Sequence, residues 1–422
     1  MSTTDFILQH LADDTHQLAL QASRYPDVDL PYALCQIQGW QTAEHKLPTW
    51  AGTPGVIYPP RLSMEQCSSE PTAHYKATIL PPDAPRHTMT DLTGGFGVDA
   101  TILARAYSHL TFVETSPELC QLARHNLPLL GIHGAETINA RAEQVITELP
   151  HQNLIYIDPA RRDDYGRKMV QIQHCTPDLT ILQDLLLDKC DHLLVKLSPM
   201  LDIHHILHTL HHIHSLHVVS LQGECKEIVV HMSHDNPPAT PLIHAVNIKQ
   251  KELEVVKSRY RFGQEVGVKK EWRSVDDTSP EATSVPLTSL YLPFNFPLTP
   301  SYVNYLYEPN ASIMKAQLFD EVARQYCVHQ LHPNSHLFIS KHHVDHFPGR
   351  TFVIQGVYTL SKQHICTLRK LKRANISVRN FPMTTSQLRQ RLLLADGGDT
   401  YLMATTINPD EQKVILCCTK CD

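Results

Sequence analysis

"MTDLTGGFGVDA", Met89–Ala100, decides the fold. It reads as the end of a strand, a tight glycine loop and the start of a helix. Such a loop brings its backbone close against a nucleotide. Gly95-x-Gly97-x-x-Ala100 also fits the pyrophosphate-binding pattern of nicotinamide enzymes, so the glycines alone leave the nucleotide open.

Working outward, strands and helices alternate from residue 87: "HTMTDLTG", "DATILARAY", "LTFVETS", "ELCQLARHNLPLLG", "ETINARA", "AEQVITEL", "NLIYIDPA". This alternation predicts a parallel α/β sheet with helices on both faces. "CTPDLTILQDLLLD" continues as a helix, "DHLLVKLSP" as a buried strand and "DIHHILHTLHHI" as a helix. "LHVVSLQG" and "KEIVVHMS", separated by Gly223, read as an antiparallel pair finishing the sheet. Upstream, Asp5 to about Lys46 has a helical pattern that Pro26 and Pro31 divide into two helices. "EQCSSEPTAHYKATIL" reads as a short helix leading to the loop. Downstream, the prolines of 277–300 mark a linker. A helix around "SIMKAQLFDEVARQY" follows, then short strands with basic helices.

At 422 residues the chain has room for two to four domains, and 42% hydrophobic with 19% charged residues is ordinary globular composition. No apolar run approaches the roughly 18 residues of a membrane span. The first residues carry acids where a secretory signal carries lysine or arginine, so a cytoplasmic protein is expected. Eleven scattered cysteines suit reduced thiols. Cys418-x-x-Cys421 has no second pair to complete four zinc ligands and reads as a frayed tail. Seven of the 28 histidines fall in "DIHHILHTLHHIHSLH". There Ile203, Ile206, Leu207, Leu210 and Ile213 form an apolar stripe that leaves the histidines on the wet side, and no metal is expected.

Net charge is −6, yet residues 341–395 hold Lys341, Arg350, Lys362, Arg369, Lys370, Lys372, Arg373, Arg379, Arg389 and Arg391 against Asp345 alone. A basic carboxy-terminal part on an acidic body suggests a polyanion partner, with a solvated charged surface as the plain alternative.

Asp91 chooses the loop's ligand. A dinucleotide would put its pyrophosphate on the helix amino terminus, close to this carboxylate. Two anions at about 4–6 Å repel by a kcal/mol or more even near a surface. S-adenosylmethionine has no phosphate, and its sulfonium and α-ammonium are cations that a carboxylate attracts. Glu114, at the tip of "LTFVE", suits the ribose hydroxyls of either cofactor.

"DLTGGFG", "FVETSPE" and "IYIDPARR" resemble motifs I, II and IV of the class I S-adenosylmethionine-dependent methyltransferases. The resemblance covers roughly residues 62–235 and implies a Rossmann-like, seven-stranded sheet. It implies that Asp91, Thr93, Gly94, Gly95 and Gly97 hold the methionine part and that Glu114 and Thr115 hold the ribose. Asp158 and Pro159 would face the transferred methyl. "NARAEQV" departs from the pattern, with Ala140, Arg141 and Ala142 where many relatives have an adenine-contacting aspartate. The whole chain also resembles a bacterial group with a helical amino-terminal part, a small ferredoxin-like piece and a THUMP-like, RNA-binding carboxy-terminal domain. "EQCSSEPTAHYKA", "YEPNASIMKAQ" and "RNFPMTTSQLRQRL" carry that likeness. Expected boundaries are 1–61 helical, 62–260 methyltransferase, 277–334 linker and ferredoxin-like, 335–422 THUMP-like. Arg369, Lys370, Lys372, Arg373 and Arg379 would then meet RNA, joined by Arg161 and Arg162 behind the motif IV turn.

The acceptor depends on neighbouring strand ends. Carbon-5 uridine methyltransferases need a cysteine nucleophile after the fifth strand, and Leu197 stands there. Amine methyltransferases usually show a second proline and an aromatic after the motif IV acid, where this chain has Ala160 and Arg161; that weakens an amine target without excluding it. Lys76, Asp158, Lys196 and Glu227 are similar in order to the tetrad of ribose 2′-O-methyltransferases. That likeness implies Lys196 as base, its pKa lowered by neighbouring cations. The expected function is a methyltransferase of structured RNA, ribosomal or transfer, at a ribose 2′-oxygen or a base amine. The alternative is a protein or small-molecule methyltransferase with the basic part as scaffold.

Overall fold

The structure is a computed structural model describing residues 1–160, 172–235, 237–238, 240–249, 252–260, 272–273, 304–407 and 411–421. Arg161, Arg162 and the expected linker at 277–300 lie outside the described residues. The chain divides into two compact units, Met1–Leu216 with Glu227–Pro241, and His217–Lys226 with Leu242–Asp422.

The first unit opens with helices α1 (Thr3–Gln9), α2 (Thr15–Leu20) and α3 (Leu30–Lys46), each started by a side chain, Ser2, Asp14 or Asp29, that accepts first-turn N–H groups. Pro31 sits in the first turn of α3, where its missing N–H is no loss, so it starts that helix and does not break it. Phe6, Leu18, Leu30, Ala33 and Ile37 form a small buried core among these helices. Then come α4 (Pro48–Ala51), α5 (Arg61–Gln66) and α6 (Glu70–Lys76). Trp50, Tyr58, Met64 and Ala73 bury themselves with Phe96, Val98 and Ile102, which anchors α5 and α6 against the glycine loop and α7 (Val98–Ala104).

Strands β1 (Thr88–Asp91), β2 (His109–Glu114), β3 (Glu136–Asn139), β4 (Gln152–Ile157) and β5 (Cys190–Leu197) run parallel in the order β3-β2-β1-β4-β5. Helices α8 (Pro117–Leu129), α9 (Ala142–Val145), α10 (Leu179–Asp188) and α11 (Ile203–Thr209) connect them onward. β6 (Ile213–Leu221) and β7 (Glu224–Met232) form the expected hairpin, turned by Gln222 and Gly223 at φ 53° and 82°. Two central residues at positive φ match the right-handed strand twist. β7 lies antiparallel against β5. Strand order reverses between β1 and β4, the crevice where open α/β sheets bind ligands, and Asp91 and Asp158 mark the two strand ends beside it.

The sheet departs from expectation in width. Its hydrogen-bonded order continues through β8 (Leu242–Lys249), β9 (Glu252–Tyr260) and β10 (Trp272–Arg273), giving ten strands in place of seven. The histidine-rich segment departs too. Helix α11 stops at Thr209 and β6 begins at Ile213, so His217 falls on a strand, is buried, and stacks on His244 at 4.3 Å. A helical stripe cannot describe residues that alternate.

The second unit holds β11 (Tyr305–Pro309), β12 (His329–Gln330), β13 (Phe338–Ser340), β14 (Gly349–Tyr358), β15 (Asn375–Arg379), β16 (Thr400–Ile407) and β17 (Gln412–Lys420), in the order β12-β13-β11-β14-β17-β16-β15. α12 (Ala311–Ala316) and α13 (Phe319–Gln325) replace the single expected helix because Gln317 turns left-handed between them. α14 (Lys362–Arg369) and α15 (Thr385–Leu392) complete it. Met403 and Leu416 join one core with Phe352, while Leu402 and Ile415 join another with Leu368 and Leu388, so both faces of β16 and β17 are covered. "CCTKC" is therefore no frayed tail: Cys417 and Cys418 lie in β17 between two neighbours, and Cys418 is fully buried.

Candidate active site

The glycine loop takes the form its sequence demands. Gly95 and Gly97 adopt φ of 56° and 83°, and a Cβ on Gly94 would lie 2.1 Å from the Phe112 ring. Thr93 ties the loop to both strand ends. Its N–H donates to Asp91 at 2.9 Å, and its hydroxyl accepts the Asp158 N–H at 2.6 Å. Glu114 accepts the Gly95 N–H at 2.8 Å, the Ser116 N–H at 2.8 Å and the Thr115 hydroxyl at 3.0 Å. Asn139, at the end of β3, donates to the carbonyls of Glu114 and Thr115 at 2.9 Å each.

Asp91 is almost wholly enclosed, with no cation paired to it among the described residues. Burial pushes its carboxyl well above the usual range against the pull of the Thr93 N–H, and Asp99, Asp158 and Glu114 add to the rise.

Beside it, the four residues spread over 151 positions of sequence come together. Lys76 of α6, fully buried, donates to both Glu227 oxygens at 2.7 and 2.8 Å and to the Ser68 hydroxyl at 3.1 Å. Lys196 of β5 pairs with Asp158. Asp99 of α7, absent from the expected set, lies between the two lysines, 3.0 Å from Lys76 and 4.0 Å from Lys196. Ser68 and Tyr156 each give Asp99 an O–H hydrogen bond, at 2.6 and 2.7 Å. One signal could have exposed it: an acid in a first turn whose other residues are all apolar or small.

The protonation of Lys196 runs opposite to expectation. Burial would lower it, but Asp158, Asp99 and Glu227 outweigh burial and hold the ammonium above the ordinary lysine value. Its strongest neighbours are acids, not cations. Asp99 itself is held below the usual carboxylate range; burial opposes this, and the ammoniums of Lys76 and Lys196 overcome it. Lys196 keeps 13% and Asp158 35% of side-chain exposure, so this pair is the open side of the cluster. Pro159, the residue after Asp158, is buried.

A crystal structure from Porphyromonas gingivalis W83, described as a "putative methyltransferase", is 33% identical to this chain. The match covers 100% of this chain and 98% of that one, with a TM-score of 0.77. The chain belongs to that methyltransferase family. A SAM-dependent methyltransferase from Agrobacterium tumefaciens is 21% identical over 31% of this chain and 45% of its own, with a TM-score of 0.25. An rRNA methylase from Streptococcus thermophilus is 12% identical over 38% of this chain and 93% of its own, with a TM-score of 0.28. No curated protein matches. Family models match a ferredoxin-like domain at 305–348 and a THUMP-like domain at 349–420.

S-adenosylmethionine is the cofactor expected of this methyltransferase, and the residues fit it. An enclosed carboxylate without a protein cation suits the cofactor's ammonium. Gly95 and Gly97, at positive φ, let the loop backbone turn beside that carboxylate without a Cβ in the way.

In the second unit the basic residues divide. Arg350 and Arg379 both pair with the buried Glu308, and Arg389 pairs with Asp396. Arg369 donates to the Arg391 carbonyl at 3.0 Å. Lys362, Lys370, Lys372 and Arg373 make no side-chain hydrogen bond or ion pair with a described residue. Among the described residues no group of three or more His, Cys, Asp or Glu could hold a metal, and no helix is long and apolar enough to cross a membrane.

Proposed function

We propose that the chain is an S-adenosylmethionine-dependent RNA methyltransferase whose acceptor is a ribose 2′-hydroxyl of a structured RNA. The convergence of Lys76, Asp158, Lys196 and Glu227 on one cluster, with Lys196 and Asp158 on its open side, carries the reading. The cofactor supplies an electrophilic methyl on a positively charged sulfur. Asp91 and the loop of Thr93, Gly94, Gly95 and Gly97 would hold its methionine part, and Glu114 with Thr115 would hold its ribose. Asp158 and Pro159 would lie on the side of the methyl. Lys196 would hydrogen-bond the acceptor oxygen; after its ammonium gives a proton to solvent at the open side of the cluster, the free amine would take the hydroxyl proton as the oxygen–methyl bond forms and the methyl–sulfur bond breaks, leaving the sulfur neutral. Lys76 and Glu227, sealed from water, hold the cluster in place.

Leu197 offers no nucleophile for carbon-5 chemistry, which supports an oxygen acceptor over a pyrimidine carbon. Lys362, Lys370, Lys372 and Arg373, with Arg369 and Arg379 nearby in sequence, support RNA as the partner through phosphate contacts. The test is cellular RNA incubated with methyl-labelled cofactor, followed by nucleoside analysis. Label on ribose is expected. Label on a base, or on protein with RNA inert, overturns the assignment.

A further inference from the structure

We propose that Asp99 is a positioning residue of this site, tying Lys76 and Lys196 into one charged unit and keeping the Lys196 ammonium in place when a ligand engages Asp158. The proposal rests on the reading of the site given above.

Asp99 divides its two oxygens. Oδ1 faces the Lys76 ammonium at 3.0 Å; Oδ2 accepts from Ser68 and Tyr156 and faces Lys196 at 4.0 Å. Two hydroxyl donors from different elements, the α5–α6 turn and β4, fix the carboxylate so that it cannot swing toward either lysine alone. The charged and titratable groups facing Lys196 are Asp158 after β4, Asp99 on α7, Glu227 on β7 and the Cys67 thiol of the α5–α6 turn. Lys76 on α6 and the Tyr156 hydroxyl on β4 stand behind Asp99.

Exposure separates the roles. Asp158 keeps 35% of its side chain open and can share itself with an incoming cation, whereas Asp99 at 9% and Glu227 at 3% cannot. With every group ionised, the carboxylates of Asp99, Asp158 and Glu227 exceed the two ammoniums by one charge. The cluster therefore accepts one further positive charge. When that charge draws on Asp158, Asp99 remains as the counter-ion that fixes the Lys196 nitrogen. Without Asp99 the two ammoniums would face each other with less opposing charge, and Lys196 would shed its proton more readily.

The experiment is a pH titration of the lysine side-chain NMR signals in the full chain without RNA, with Lys196 assigned by Lys196→Arg. In Asp99→Asn the Lys196 midpoint should fall by about one pH unit or more, a tenfold loss of proton affinity. A variant that melts like the parent and titrates unchanged at Lys196 overturns the proposal. A second variant guards against misfolding. In Asp158→Asn, Lys196 should still titrate above about 10.4, the ordinary lysine value, because Asp99 remains; a midpoint below that value also overturns it. A merely structural Asp99 would move the melting temperature and leave these midpoints alone. Because the readout needs no RNA, base label in the nucleoside experiment would remove the ribose assignment and leave this result standing.

Discussion

The Lys76 ammonium lies 2.7 and 2.8 Å from the two Glu227 oxygens, in a pocket that leaves the lysine no exposed surface and the glutamate 3%. Replacing Lys76 with methionine strands Glu227 and Asp99 without that cation. Breaking a buried pair from one side costs about 3–5 kcal/mol. Urea unfolding of Lys76→Met should show a lower midpoint at similar slope, and adding Glu227→Gln should recover part of the loss. A variant within about 1 kcal/mol of the parent contradicts an enclosed pair.

Asp91 should trade stability for cofactor binding. Its folded carboxyl titrates above the unfolded value, so the folded form holds the proton longer as pH rises. Stability from this group is present in acid and is lost as pH climbs through the raised value. Asp91→Asn keeps an acceptor for the Thr93 N–H and removes the buried charge. It should melt higher than the parent at pH 8, with a smaller gain at pH 5, and bind S-adenosylmethionine at least about tenfold more weakly by calorimetry, one unit of pairing energy. Higher stability with unchanged affinity would remove Asp91 from the cofactor site.

His231 gives the opposite pH dependence. Burial, with His192 and His214 beside it, pushes its imidazole down to about 3. Its Nε2 lies 3.1 Å from His192 Nδ1. The unfolded chain takes this proton first, so stability is whole above the ordinary value near 6.5 and falls as pH drops toward about 3. The slope from one such group approaches about 1.4 kcal/mol per pH unit. His231→Leu should flatten the fall in melting temperature between pH 6 and pH 4. An unchanged slope would place the acid sensitivity elsewhere.

Gly94→Ala tests the close approach of the loop to β2. The new methyl would meet the Phe112 ring at 2.1 Å, and such overpacking costs about 1–3 kcal/mol. Cofactor affinity should fall with stability, because relief of the clash moves the loop. Pairing the change with Phe112→Leu should restore much of the melting temperature; failure to do so would mean that the ring is not what Gly94 makes room for.

The turn after α14 should carry RNA affinity. Replacing Lys370, Lys372 and Arg373 with glutamine should weaken binding of bulk transfer RNA and flatten its salt dependence by about 0.7–0.9 per lost phosphate contact. Arg379→Gln should act differently, since Arg379 is one of two cations on the buried Glu308 and its loss lowers stability as well. If the triple variant binds like the parent at every salt concentration, this turn does not meet RNA.

Much of the first unit was legible along the chain, because its signals are local. A strand ending in Asp91, glycines at forced positive φ and a helix behind them need only short-range sterics to be recognised. The strand-end positions of Asp158 and Lys196 follow from short apolar runs, "LIYI" and "LLV", that each give way to a charged residue. The added sheet strands were harder to read, since pairing partners are chosen by packing among distant segments. So was the spending of Arg350 and Arg379 on Glu308, 42 and 71 residues away.

Sequence by itself determined the glycine cradle, the acidic strand tips and the order Lys76, Asp158, Lys196, Glu227. Only tertiary structure decided that Asp99 stands between the lysines and that acids, not cations, dominate around Lys196. The reason is that residue identity limits what charge a group can carry, while the balance of burial and of attraction over a few ångströms selects the charge it holds.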